Sequence, residues 1–526
     1  MIPGLRRAAV LAAALLLTSP AARADEGRVQ AANLLLWQVG RDPGTQFEER
    51  TALFDQVRLD YLSGDFRVGA RAETYRTSTA DLVHEEITHR FVEWRGRDLS
   101  LRVGNGYATL GRGLIFRAHE LPGVVREITT LTDSKYMDTR DLDGVILEGR
   151  RGRAEAVLVS GRPLAFPDNP PGLEETFGLV RREGTVSGGR VGVDLGRGVR
   201  VGQGYVRAEG FTSWGRAARE EYGSLDAAVR LHRLLPVLDQ AGWDVRLSAE
   251  LAARDWNALP DLDGPGDGVP RARTTLVEAA RGRWSVIWET KDYERFRLPY
   301  NDPPNLVPEL SPSLVNRRSH FLFADDEHGH LVSVQGAVGD GWTLHLERAA
   351  ARLLDDAMDY RLTYLEAASP PLADTRLTVF VAEGRDDIEG LERHRSAGLA
   401  VERSLSGRDA VQAAVEVQDI RRPGGGDALH HDVLLSVGAG RAGLGSVTLV
   451  LEMSDDPTQT DDPQTFDVVE TDRRRWLGLN VQADLDRSHQ LAAFAGRRRG
   501  GTACTSGVCY LVPDFRGVEV RLSSRF

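Results

Sequence analysis

The chain ends with Gly517-Val-Glu-Val-Arg-Leu-Ser-Ser-Arg-Phe526, and this stretch decides the fold. Side chains on a β-strand alternate between its two faces, so the apolar residues of this segment share one face and its charged residues share the other. Bacterial outer-membrane β-barrels typically close with an amphipathic strand of this kind and a terminal aromatic residue. The alternative is a surface strand of a soluble β-protein.

The same segment assigns roles to particular residues if the strand closes a barrel. Glu519, Arg521 and Arg525 would then face the lumen, because apolar side chains meet lipid and the opposite face meets water. Phe526 would lie at the periplasmic rim. We predict that Phe526 is the assembly signal read by the barrel-assembly machinery.

The beginning of the chain predicts export. Arg6 and Arg7 precede an apolar run from Ala8 to Leu17, and Ala22-Arg23-Ala24 has the pattern of a cleavage site. The run is too short for a membrane helix, which needs about 20 apolar residues. We expect residues 1–24 to be a cleaved signal peptide and residues 25–526 to form a single barrel domain. Loss of the three leader arginines takes the formal net charge from −11 to −14.

Composition narrows the class of protein. Later apolar runs resemble Val447–Leu451 and are too short for a membrane helix, so the exported chain is either soluble or a barrel. The hydrophobic content of 41% and the mean hydropathy of −0.31 do not exclude a barrel, because only alternate residues meet lipid. A pI near 5.7 argues against nucleic acid as a partner, since an acidic chain repels it.

Period-two alternation recurs along the mature chain, for example at Val245–Ala253 and at Val411–Val417. We predict tight turns near residues 63–65, 95–97, 150–152, 196–198, 281–283, 339–341, 406–407, 440–442 and 484–486. We predict longer loops at residues 40–51, 76–85, 104–141, 162–187, 209–223, 255–271, 292–327, 417–428, 454–471 and 497–510. Short turns at one end and long loops at the other are typical of outer-membrane barrels, with the turns periplasmic and the loops extracellular.

Strand parity gives a count. If both termini are periplasmic, the number of strands is even and each tight turn joins an even strand to the next odd one. Numbering from Val29–Val39 makes Val512–Phe526 strand 24, provided that residues 175–183 belong to a long loop. We therefore predict an all-β, single-chain antiparallel transmembrane barrel of about 24 strands, within a range of 22 to 26.

Two long loops differ from the others in composition. Residues 104–141 are unusually long and apolar, and they either fold into the lumen and constrict it or form strands that extend beyond the membrane. Residues 292–327 contain five prolines and several aromatic residues. Proline suits irregular loops, so we favour a rigid external loop here, with a binding lid or cap as the alternative.

Few residues indicate chemistry. Cys504 and Cys509 are close in sequence in an exported chain, which predicts a local disulfide in the last long loop. Asp261, Asp263 and Asp267 offer carboxylates for a weak Ca²⁺ site, although a solvated loop is the simpler interpretation. We recognise no catalytic set, cofactor motif or other metal site, so we expect a protein that is not an enzyme, with an outer-membrane hydrolase as the alternative.

Several short stretches carry a resemblance to a family. Gly106-Tyr-Ala-Thr-Leu-Gly-Arg-Gly-Leu-Ile-Phe-Arg117, Leu142–Val145, Tyr300–Arg317 and the closing segment from Cys504 are similar to those of an uncharacterised family of bacterial outer-membrane β-barrel proteins. The resemblance implies a barrel. It implies no activity, because the family is a domain of unknown function.

These observations favour an outer-membrane barrel that acts as a porin-like channel or transport conduit for an unknown solute. Its expected partners are outer-membrane lipid, the barrel-assembly machinery, and either a small solute or an envelope protein. A structural or docking barrel for a secretion or surface-assembly system is the first alternative. A secreted soluble all-β binding protein is the second.

Overall fold

The protein is almost entirely β-sheet in the computed structural model. The structure describes residues 27–41, 49–78, 83–120, 139–165, 180–181, 184–213, 216–254, 270–296, 298–301, 303, 310–317, 326–353, 357–423, 429–456, 474–505, 508–512 and 515–526. The predicted signal peptide, residues 1–24, lies outside the described residues, so its cleavage stays a prediction.

Twenty-four strands form the barrel. The first twelve are β1 (Arg28–Arg41), β2 (Glu49–Ser63), β3 (Phe66–Thr77), β4 (Val83–Arg95), β5 (Leu99–Gly106), β6 (Leu142–Arg151), β7 (Ala154–Ala165), β8 (Thr185–Gly196), β9 (Val199–Ser213), β10 (Arg216–Arg230), β11 (Asp244–Arg254) and β12 (Arg271–Arg281). The second twelve are β13 (Trp284–Glu294), β14 (Asp326–Val338), β15 (Trp342–Leu353), β16 (Met358–Ala368), β17 (Thr375–Asp386), β18 (Leu391–Ser404), β19 (Asp409–Arg421), β20 (Leu429–Arg441), β21 (Gly445–Ser454), β22 (Arg474–Asp484), β23 (His489–Arg498) and β24 (Phe515–Arg525).

Each strand pairs antiparallel with its sequence neighbours, and the first strand pairs with the last. The closing seam runs from Ala32 opposite Arg525 to Arg41 opposite Arg516. Backbone hydrogen bonds between Ala31 and Phe526, at 2.8 and 3.1 Å, extend the seam by one more residue. The predicted fold class, an all-β single-chain antiparallel barrel of 24 strands, is therefore confirmed.

Short elements lie outside the barrel wall. Two are short strand pairs, His119–Glu120 with Thr139–Arg140 and Gly501–Thr505 with Val508–Val512. A two-residue strand, Val180–Arg181, pairs with the end of β7. The helical turns are α1 (Leu231–Leu234), α2 (Pro236–Gln240) and α3 (Ser313–Asn316). Only residues 180 and 181 of the segment 175–183 are described, and they add no strand to the barrel, as the parity count requires. Among the described residues, no helix has both the length and the apolar composition to cross a bilayer.

The two faces of the wall differ in chemistry. Directly opposed residues of paired strands share a face, so pairing assigns each side chain to the inner or the outer wall. On β11, Leu251 on the outer wall is 57% exposed, whereas its neighbour Glu250 on the inner wall is fully buried. Other exposed apolar residues of the outer wall include Val191, Leu225, Val379, Val437, Leu449 and Leu477. The outside of the barrel is therefore apolar and the inside polar, as in barrels that face lipid.

The predicted tight turns all fall where an even strand meets the next odd one. At the turn between β12 and β13, for example, Gly282 adopts φ of +57°, a conformation that glycine reaches without a steric penalty. Two further connections at this end were not predicted. Residues 231–243, between β10 and β11, contain α1 and α2, and residues 369–374 join β16 to β17. Both chain ends of the barrel lie at this tight-turn end.

The prediction of a long loop at residues 209–223 is wrong. Strand β9 continues to Ser213 and β10 begins at Arg216, with a bulge beside Gly210 that preserves the pairing. The polar composition that suggested a loop belongs to strand ends whose charges pair along the strand, as in the ion pair between Arg219 and Glu221. Strand 24 also begins later than predicted, at Phe515, because Val512 belongs to the preceding hairpin.

Candidate functional site

Residues 107–120, in the loop between β5 and β6, lie inside the barrel against its inner wall; we call them the lumen hairpin. The chain folds back on itself, with the N–H of Leu110 donating to the carbonyl of Phe116 at 3.0 Å. The side chains of Leu114 and Ile115 are 0% exposed. The apolar residues noted in the sequence are therefore buried inside the lumen.

A carboxylate on the wall holds the tip of the lumen hairpin. The side chain of Glu250 on β11 accepts hydrogen bonds from the backbone N–H groups of Arg112 at 2.7 Å and Leu114 at 3.3 Å. The guanidinium of Arg112 donates to Ser248 at 2.8 Å and forms an ion pair with Glu289 at 3.2 Å. Hydrogen bonds to a charged acceptor are stronger than neutral ones, so this contact anchors the hairpin tip.

Glycine at position 111 makes the approach possible. Gly111 has φ of +61°, a left-handed conformation that side chains disfavour. A Cβ atom at this position would lie 2.7 Å from Oε1 of Glu250. The glycine-rich Gly111-Arg112-Gly113 sequence thus allows the backbone to reach the carboxylate.

A second anchor holds the base of the lumen hairpin. Glu120 forms an ion pair with Arg71 on β3 and accepts a hydrogen bond from the hydroxyl of Tyr107 at 2.9 Å. Burial by itself raises the pKa of the Glu120 carboxyl, but the charge of Arg71 and the hydrogen bonds from Tyr107 and Arg71 outweigh it and lower the pKa. Burial raises the pKa of Tyr107. Glu120 is therefore a carboxylate at neutral pH, and Tyr107 is its neutral donor.

The loop between β13 and β14 also enters the lumen and binds the lumen hairpin. The side-chain oxygen of Asn301 accepts the N–H of Arg117 at 2.6 Å. Its NH₂ group donates to the carbonyls of Gly113 and Leu114, both at 2.9 Å. One buried amide therefore satisfies three backbone groups of another loop.

Aromatic packing buries the same part of this second loop. Tyr300 is 1% exposed, and its ring lies 5.4 Å from Phe211 and 6.3 Å from Tyr222 on the wall. Phe296 contacts Tyr222 edge-to-face at 5.8 Å. Aromatic pairs at such distances add to the stabilisation from buried area.

A third carboxylate anchor lies further along this loop. The helical turn α3 directs the N–H groups of Ser313 and Leu314 at Glu416 on β19, at 3.0 and 2.8 Å. Leu314 and Val315 are buried against the inner wall. Residues 310–317 therefore repeat the arrangement of the lumen hairpin, in which backbone N–H groups contact a wall carboxylate.

A buried ion network follows this anchor. Arg317 pairs with Glu452 on β21, and Glu452 also binds Arg499 at 2.7 Å. Arg499 reaches Asp432 on β20 at 3.0 Å, and its side chain is 1% exposed. A buried charge is costly without a partner. This network therefore holds Arg317 of the β13–β14 loop and Arg499, which follows β23, in one arrangement.

These contacts define what the site can do. In the part of the chain that the structure describes, segments of two loops occupy part of the lumen, joined through Asn301 and anchored to the wall by carboxylates. Among the described residues, no cluster of three His, Cys, Asp or Glu side chains could hold a metal ion. The arrangement is suited to narrowing a passage.

The predictions for the two long loops, residues 104–141 and 292–327, fare differently against the structure. The inward alternative for residues 104–141 is what the structure shows for 107–120. The favoured interpretation of residues 292–327 as a rigid external loop is wrong, since Tyr300, Asn301 and Leu314 of this loop are buried in the lumen. Proline indicated irregular backbone there but could not indicate its location.

The structure places the other predicted residues as follows. Glu519 lies on the inner wall, where its carboxylate accepts hydrogen bonds from the side chains of Gln38 at 2.9 Å and Arg498 at 3.0 Å. Arg521 and Arg525 lie on the same face of the strand. Phe526 is 69% exposed at the tight-turn end. Its role as an assembly signal stays a prediction.

The cysteine and calcium predictions stay open. Cys504 and Cys509 occupy directly opposed backbone positions of a hairpin, an arrangement in which a local disulfide can form. The three aspartates Asp261, Asp263 and Asp267 lie outside the described residues.

Sequence reasoning missed the anchors. Glu250, Glu416 and Asn301 carry no local motif, and their partners are far away in sequence. The sequence contained one indication: a carboxylate whose side chain faces inward from the middle of a wall strand requires a partner when it is buried.

The strands and the lumen together define the class of protein: a closed single-chain antiparallel β-barrel in which, among the residues that the structure describes, segments of two long loops lie inside the barrel. A model of a family of unknown function, DUF6029, matches residues 10–121. This match includes Gly106–Arg117, one of the stretches similar to an uncharacterised family, and it confirms that resemblance. No curated protein matches the chain.

Solved structures of similar fold are outer-membrane barrels. The translocation pore of the P pilus usher PapC is 11% identical, with 95% of this chain and 99% of that chain covered and a TM-score of 0.48. OccAB3 of Acinetobacter baumannii is 8% identical, with 95% and 99% covered and a TM-score of 0.35. The siderophore receptor PirA from Pseudomonas aeruginosa is 8% identical, with 95% and 80% covered and a TM-score of 0.44.

Proposed function

We propose that this protein is an outer-membrane channel or transport conduit whose lumen is narrowed by its own loops. The observation that carries the proposal is the docking of the lumen hairpin on Glu250 inside a closed barrel with a polar inner wall. A closed barrel satisfies every backbone group of its wall without an edge strand, which is a requirement for spanning lipid. A loop inside such a barrel sets the width of the aqueous path.

The outer wall supports a location in lipid. Large apolar side chains such as Val437 and Leu225 are more than half exposed on it. An apolar surface of this extent is a liability in water and is suited to the bilayer. Outer-membrane lipid and the barrel-assembly machinery are therefore the partners that the proposal requires.

Conductance tests the proposal directly. The full mature chain is refolded in detergent and inserted into a planar bilayer, with heat-denatured protein as the control. Discrete current steps are expected from the refolded protein alone. A bilayer that stays closed, with protein that migrates on a gel as a folded, heat-modifiable barrel, would contradict the proposal.

A second candidate, a structural or docking barrel, is favoured by the number of anchors. The buried network of Arg499, Asp432 and Glu452 resembles a permanent attachment more than a gate. This candidate predicts a closed bilayer and stable envelope partners after mild crosslinking. The two functions are therefore separated by conductance and co-purification.

A further inference from the structure

A cavity of about 470 Å³ lies on the inner wall at the tight-turn end of strands β7 to β12. Its volume falls in the range of sites that hold small organic molecules. Six arginines line it: Arg153, Arg197, Arg200, Arg230, Arg233 and Arg246. The acidic residues in the lining are Asp194 and Glu278, so positive charge is in excess by four.

Strand pairing brings these charges together. Arg230 on β10 is directly opposite Arg246 on β11, a like-charge pair that is destabilising by itself. The carboxylate of Asp194 is opposite Arg200 and accepts the N–H of Gly196 at 2.8 Å. Wall carboxylates therefore leave much of the positive charge uncompensated.

The arginines are also available to a ligand. Among the described residues, Arg246 has an ion pair, with Asp244 at 3.2 Å, whereas the other five lining arginines have none. Arg197, Arg200 and Arg233 are exposed. In a chain whose formal net charge is −11, a local surplus of free guanidinium groups points to a ligand.

The cavity adjoins the constriction. Ser248 lines the cavity and also accepts the hydrogen bond from Arg112 of the lumen hairpin. A solute that passes the hairpin on this wall therefore meets the arginines next. The cavity lies between the hairpin anchor at Glu250 and the tight turns.

We propose that this cavity binds a small soluble anion with several carboxylate or phosphate groups, and that it selects such solutes for passage. Guanidinium groups bind both kinds of oxyanion through paired hydrogen bonds, so the two chemistries share one site. The binding part of this inference is independent of the proposed channel, and only the selection for passage rests on it.

Calorimetry on the full mature chain, refolded in detergent at low salt, tests the binding. Citrate and pyrophosphate are the probes for the two chemistries, and glucose is the neutral control. Arg200→Gln and Arg230→Gln each remove one lining charge. Arg376→Gln is the matched control, because Arg376 is exposed on the inner wall of β17 outside the cavity. A heat-modifiable gel confirms that each variant folds.

We expect at least one of the two anions to bind and glucose not to bind. Each cavity variant should weaken binding about three- to fivefold, as expected for an exposed charge contact, while Arg376→Gln leaves it unchanged. Absence of binding by both anions, or an equal loss in Arg376→Gln, overturns the site. If an anion binds but the bilayer stays closed in the conductance experiment, the binding site is supported. Only the channel and the selection for passage are then contradicted.

Discussion

The backbone N–H of Arg112 donates to the carboxylate of Glu250 at 2.7 Å, across 138 positions of sequence. Arg112 belongs to a loop and Glu250 to the wall, so this bond fixes the tip of the loop against the wall. The side chain of Glu250 is buried and also accepts the N–H of Leu114.

Replacement of Glu250 by glutamine should loosen the lumen hairpin. The variant loses the charge that strengthens two backbone hydrogen bonds, which weakens docking by about 2 kcal/mol. Single-channel conductance should rise or become noisier. Glu402→Gln, at an exposed position of β18, is the control and should behave as the wild type. Equal conductance in the wild type and Glu250→Gln would show that this anchor does not set the passage.

Replacement of Asn301 by alanine should separate the two loops. Three backbone groups of the lumen hairpin lose their partner, and an unsatisfied buried group costs about 1–3 kcal/mol. Limited proteolysis should cleave the loops faster, while the barrel itself still resists. Asn480→Ala, at an exposed site on β22, should not change the cleavage rate. Unchanged cleavage in Asn301→Ala would contradict the attachment of the two loops to each other through Asn301.

Acid should release the base of the lumen hairpin. The pKa of Glu120 is lowered from its usual value of 4.5, so its contact with Arg71 and Tyr107 contributes stability above pH 4.5 and loses it as the pH falls through the lowered pKa. Glu73 and His89 also lie near Arg71 and Tyr107. The contribution of Glu120 to conductance should be constant from neutral pH to about 4.5 and should change conductance upward below that value.

Glu120→Gln separates this effect from titration of the other groups. The variant cannot ionise at this position, so the part of the acid response that belongs to Glu120 should disappear, and its hairpin should already be looser at neutral pH. A wild-type acid response in Glu120→Gln would assign the titration to another group.

The paired cysteines should form a disulfide in the exported protein. Thiol labelling after denaturation should find no free thiol at Cys504 or Cys509 unless a reductant is added. A bridge that closes so short a loop stabilises the hairpin by about 2 kcal/mol in the chain-entropy model. The double serine variant should therefore show faster proteolysis at residues 501–512. Full labelling without reductant would contradict the disulfide.

The terminal aromatic residue should matter for assembly. Deletion of Phe526 removes both the ring and the backbone hydrogen bonds to Ala31, whereas Phe526→Ala removes only the ring. If the ring is the signal, both variants should accumulate less folded barrel in the outer membrane, as measured by heat-modifiable migration. Normal insertion of Phe526→Ala together with poor insertion of the deletion would assign the effect to seam closure.

The sequence predicts the barrel well because its signal is local. Alternation in segments such as Val245–Ala253, tight turns and strand parity together lead to 24 strands, as observed. The interior is less predictable, since its contacts join residues far apart, as Glu250 joins Arg112. Periodicity assigns Glu250 to the inner wall but cannot identify the loop that contacts it. For the same reason, the prolines of residues 292–327 did not reveal that part of this loop is buried.

The most direct test of the central claim is single-channel conductance of the wild type beside a variant in which residues 108–119 are replaced by a short glycine–serine linker. Both proteins are first shown to be folded by heat-modifiable migration. We predict small, discrete steps for the wild type and markedly larger steps for the variant. A folded variant whose bilayer stays closed, or whose steps equal those of the wild type, would contradict a channel narrowed by the lumen hairpin.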